Sequence, residues 1–202
     1  MFVQIKRLYA LGMTDLLGPS TPLNTYRRDL AAVRAAIKSI GVGDEVTARF
    51  RAPGHGVFEV TGQVWTSVAD DVKVGWWDLT SGSSGKPADE LQAVSAATPL
   101  APLPAYDRGD LREQILSLGA GDLVTAAFDF GGSGPFTLRG GVRVNDRGTT
   151  WVIASIYIGG TTGEPSGSLR ALTIDQKASM NTEAVETASS AAAIGTYNLF
   201  GD

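Results

Sequence analysis

The chain has 202 residues, with 17 basic and 21 acidic side chains, a net charge of −4 and 43% hydrophobic residues. This is a globular balance: no apolar run approaches the roughly 20 residues of a membrane span, and no basic stripe marks a nucleic-acid binder. With no cysteine and one histidine, disulfides, thiolate chemistry and zinc sites drop out as well.

Residues 1–25 read as an N-terminal leader or arm. It lacks the unbroken apolar core of a signal peptide and ends in the turn-rich Gly18-Pro19-Ser20-Thr21-Pro22. A helix follows. Leu30, Val33, Ile37 and Ile40 recur at spacings of three and four, with Asp29 placed to cap the start and Gly41 to end it in a left-handed conformation. Glu45 to Arg51 alternates apolar and polar, as a half-buried strand does. Ala52 to Gly56 is a turn, and Val57 to Thr66 a second strand. Gly62 within it predicts a bulge or bend. Val72 to Leu79 reads as a third strand carrying Trp76 and Trp77, which then face opposite sides. A glycine-rich loop, Ser81 to Pro87, leads to a short strand, Leu91 to Ser95.

From here the chain repeats itself. Shifted by 78 positions without a gap, residues 30–96 match 108–174 at 21 of 67 pairs, against roughly five by chance. Gly41, Gly43 and Asp44 fall on Gly119, Gly121 and Asp122. Val46, Thr47, Ala48 and Phe50 fall on Val124, Thr125, Ala126 and Phe128, and Phe58 and Gly62 on Phe136 and Gly140. The organisation expected is module 1 over 26–97, a Pro-rich linker over 98–104, module 2 over 105–175 and a C-terminal extension over 176–202. Each module of about 70 residues is small enough to gain from further packing. The third strand of the second copy is read as Thr150 to Ile158.

The repeat also acts as an internal control on candidate chemistry. His55 has Ser133 as its counterpart, so the module does not need an imidazole there. Lys86, in a loop that superficially suggests a phosphate-binding glycine loop, is matched by Glu164, and Pro87 follows where a helix should begin. Asp44 and Asp122 recur together and read as turn residues bonding nearby backbone amides. No serine elbow or EF-hand spacing appears. No catalytic residue, cofactor or metal ligand is assigned. Trp76 and Trp77 are absent from the second copy, where Ala154 and Ser155 stand. With the aromatic stretch containing Tyr197 and Phe200, they are the candidate interface residues.

A short helix followed by about four bent strands with a glycine midway resembles small SH3-like or Sm-like barrels. That resemblance implies a mainly β (α+β) fold: two tandem homologous small β-barrel or sandwich modules, each preceded by a short helix. The Asp/Asn residues with which Sm proteins bind RNA have no counterpart after Gly62 or Gly140. The layout of paired β modules, leader and apolar tail resembles virion proteins of tailed bacteriophages, of tail or baseplate type. This implies a non-enzymatic structural or assembly protein of the virion. Its partners would be other copies of itself or other virion proteins, with no membrane and no sequence-specific nucleic acid. Three copies of a chain with two similar modules can build a pseudo-sixfold ring. The alternative is a soluble, cytoplasmic glycan- or peptide-binding module that uses the Trp-bearing face of the first copy.

Overall fold

The computed structural model describes residues 28–82 and 85–178. The leader, Tyr197 and Phe200 lie outside the described residues. The fold is mainly β with antiparallel sheets. Its elements in chain order begin with α1 (Leu30–Ser39), β1 (Glu45–Ala52), β2 (Gly56–Thr66), β3 (Val72–Val74), β4 (Trp77–Asp78), β5 (Thr80–Ser81), β6 (Lys86–Pro87) and β7 (Leu91–Ala96). Then come α2 (Arg108–Leu116), β8 (Leu123–Asp129), β9 (Pro135–Gly141), β10 (Arg143–Val144), β11 (Thr150–Ile153), β12 (Ile156–Gly160) and β13 (Leu169–Gln176). No sheet among the described residues closes on itself, so the closure of a barrel is not seen. The described residues divide into two compact units, residues 28–103 with 128–138 and residues 104–127 with 139–178. Residues 128–138, which belong to the second sequence copy, therefore fall in the first unit.

In the first unit β1 lies between β2 and β7. The period-two pattern sends Val46, Ala48 and Phe50 of β1 and Phe58, Val60 and Val64 of β2 into the core, each no more than 1% exposed. On the opposite face one residue is covered as well, whereas Arg51 is exposed. Arg49 is 3% exposed and donates from Nε and Nη2 to Glu59 Oε1 at 3.0 and 2.6 Å, directly across the ladder. A buried charge needs such a partner.

Gly62 is not the bulge its position suggested. It pairs in unbroken register with Val46. Its missing side chain admits the second copy's hairpin instead: a Cβ there would stand 2.9 Å from Phe136 Cβ and 3.3 Å from the Pro135 carbonyl. The irregularity in this sheet falls elsewhere, between Arg49 and Phe50 in the pairing of β1 with β7. The expected strand from Val72 to Leu79 is also broken. Val74 pairs with Trp77 across a two-residue loop, Gly75-Trp76. Gly75, with φ 54°, takes the left-handed conformation that such tight hairpins require.

In the second unit β10, β11 and β12 form a three-stranded sheet. The strand expected over Thr150 to Ile158 is a hairpin as well, turned by Ala154 and Ser155 at φ 46° and 74°. α2 lies on β12 and β13, where Leu111, Ile115, Ile156, Ile158 and Leu169 are all at most 3% exposed. Gly159 makes room for that contact, since a Cβ on it would meet Ile115 Cδ1 at 2.7 Å.

The hydrogen bonds around the first helix and turn recur 78 residues later. Asp29 accepts from Ala31 and Ala32 at the start of α1, and Asp107 from Gly109 and Asp110 at the start of α2. Ser39 Oγ donates to the Ala36 carbonyl, and Ser117 Oγ to that of Gln114. Neither helix ends in a left-handed glycine at Gly41 or Gly119. Ile40 leaves α1 extended, and the positive φ comes two residues on, at Gly43 and Gly121, 91° and 90°.

Candidate interaction site

Seven aromatic rings gather in the first unit. Phe50 and Phe58 stack at 5.5 Å, and Trp77 tilts against them at 6.3 and 5.3 Å. Phe136 meets Trp77 edge-on at 6.0 Å. Phe128, Phe130 and Phe136 form a mutual set with centroids 5.6–5.8 Å apart. Trp76 closes the series over Phe130 at 4.2 Å and 43°. Such offset and edge contacts each add about 0.5–1.5 kcal/mol beyond the area they bury.

The cluster has a dry end and a wet end. Phe50, Phe58, Phe128 and Phe136 are at most 1% exposed. Trp77 and Phe130 are half-buried, and Trp76 keeps 50% of its surface in solvent. The two tryptophans therefore differ as adjacent residues should, although Trp76 sits at a hairpin tip rather than on a strand. The tip is braced: Trp65 Nε1 donates to the Gly75 carbonyl at 2.9 Å, and Phe136 packs beneath Gly75, where a Cβ would lie 3.1–3.3 Å from its ring. Trp76 is thus an exposed aromatic face on a fixed turn.

Phe130 is the member that sequence reasoning missed. Its counterpart in the first copy is Ala52, so comparing copies marks Phe130 as unshared, just as it marks Trp76. His55 lies in the turn between β1 and β2, where its amide donates to the Ala52 carbonyl at 3.0 Å.

A second focus lies in the other unit, at Asp122. Its carboxylate is 2% exposed and accepts from Gly119 N at 2.7 Å, Ala178 N at 2.9 Å and Lys177 Nζ at 3.0 Å. Lys177 also donates to the Ser117 carbonyl. Burial alone would raise the carboxyl's pKa, but the amides of Ala178 and Gly119 and the Lys177 ammonium outweigh it and hold it below the ordinary value. The site pins the chain where it leaves β13.

Among the described residues, no three of His, Cys, Asp and Glu gather as a metal cluster, and no helix is long and apolar enough to cross a membrane. No family model, no curated protein and no solved structure matches this chain.

Proposed function

We propose that this is a structural assembly protein that works through contacts between copies, as a component of a tailed-phage virion. The two sequence copies are its tandem modules, each a helix followed by bent antiparallel strands. The observation that carries the reading is the Trp76–Phe130 pair: a half-exposed indole on a braced two-residue turn, backed by a buried aromatic stack. Rigid aromatics of this kind anchor protein interfaces because little side-chain entropy is lost when they are covered.

The same exposed indole supports one alternative, a glycan or peptide stacked on Trp76. The two readings separate in one experiment with Trp76→Ser, a change at a half-exposed hairpin tip, with retention of the fold checked by circular dichroism. Under the assembly reading, the variant self-associates at least tenfold more weakly than the native chain by light scattering. Saturable, Trp76-dependent fluorescence quenching by a glycan panel, with unchanged association, would favour the alternative.

A further inference from the structure

The turn that holds Asp122 has a twin, and among the described residues no segment sits on the twin's carboxylate as Lys177 and Ala178 sit on Asp122. Gly41-Val42-Gly43-Asp44 makes the same bonds as Gly119-Ala120-Gly121-Asp122. Gly41 N donates to Asp44 Oδ2 at 2.9 Å, as Gly119 N does to Asp122 Oδ2 at 2.7 Å. Gly43 N donates to the Val64 carbonyl at 2.9 Å, as Gly121 N does to Val142 at 2.8 Å. Val64 N and Val142 N return bonds to the Asp44 and Asp122 carbonyls, both at 2.8 Å.

What differs is the occupant. In the second copy Lys177 and Ala178 sit on the turn. The ammonium and the Ala178 amide take the carboxylate, and the Ala178 methyl lies so near Gly121 that a Cβ there would be 3.2 Å away. In the first copy the equivalents of Lys177 and Ala178 are Pro99 and Leu100. Proline offers no cation in place of the Lys177 ammonium, and among the described residues the Leu100 amide makes no bond to Asp44 of the kind Ala178 makes to Asp122. Asp44 is exposed, nothing lies within 4 Å of a Cβ placed on Gly43, and Val42 is 67% exposed.

We infer that the Gly41–Asp44 turn is a docking seat for the Lys177–Ala178 segment of a second copy. The fit is demonstrated within the chain itself, because the same turn geometry already binds that segment 78 residues on. Charge complements charge, the glycine leaves room for the small side chain, and the carbonyl of Ser39 is the counterpart of that of Ser117. Such a contact joins different surfaces of two copies. Repeated contacts of this kind form a ring if the rotation closes. The inference specifies one contact within the self-association proposed above.

The chain has no native cysteine, so introduced thiols report without interference. One copy carries Val42→Cys and the other Ser179→Cys, the residue after the latch, and the two are mixed under mild oxidation. The expected product is the mixed disulfide dimer. Adding Asp44→Asn to the first copy, which leaves the second copy's own Lys177–Asp122 pair untouched, lowers its yield about tenfold, as loss of a charge-assisted pair should. Adding Asp122→Asn to the second copy frees the segment and raises the yield. A yield indifferent to Asp44→Asn overturns the inference. Self-association without the mixed disulfide overturns the seat alone, whereas a native chain that stays monomeric overturns the reading beneath it.

Discussion

At the scale of single residues, the informative positions are those where side-chain volume or charge has one acceptable answer. Gly62 is one. Its Cβ would fall on Phe136, so Gly62→Ala overpacks a buried aromatic contact and costs about 1–3 kcal/mol. Denaturant midpoints check this in a cycle with Phe136→Ala. The double variant should lose less than the sum of the two single changes. Glu59 is another. Removing it leaves the 3%-exposed Arg49 without its cross-strand carboxylate, so Glu59→Ala should cost about 3–5 kcal/mol in chemical denaturation. Asp122 adds a pH signature. Its folded pKa lies below its unfolded one, so its contribution is fully present above the unfolded value of about 4 and lost as pH falls through the folded value. The Ala178 amide should stay protected from hydrogen exchange at neutral pH and lose protection only in acid below the usual carboxylate range. In Asp122→Asn it should be less protected already at pH 7.

At the scale of elements, the strands β1, β2 and β7 and both helices were legible, because periodicity and Asp caps are local signals. The alternation in Glu45 to Arg51 reports burial of Val46, Ala48 and Phe50 directly. It could not reveal that Arg49 on the other face is also covered, since that depends on a cross-strand partner ten residues away. The hairpin at Gly75-Trp76 was hidden by the apolar run from Val72 to Leu79. Its signal was Gly75, which the repeat does not share: the second copy turns on Ala154-Ser155 instead. Gly62 was recognised as special for the wrong reason. A bulge is a property of one strand pair, whereas the close approach of Phe136 is a tertiary fact. The copy comparison proved the better guide to the candidate site. It singled out Trp76, and the same test applied to Phe130 would have completed the pair.

At the scale of the whole molecule, duplication sets the possibilities. Two copies of one turn exist, one occupied by the chain's own exit and one unoccupied among the described residues, and the exposed Trp76 ring, backed by the half-buried Phe130, stands on the first unit. If that second turn takes the segment of another copy, as inferred above, the chain would join its neighbours, and the proposed two modules per chain would suit a three-copy pseudo-sixfold ring. The barrel closure implied by the resemblance is not part of the described sheets. The proposed assembly requires self-association. The most direct measurement is the mass of the purified native chain by sedimentation equilibrium over a wide concentration range. For a self-associating chain the mass should rise with concentration toward a closed multiple of the 21.1 kDa chain, three copies in the ring arrangement. A single 21.1 kDa species at every concentration would contradict it.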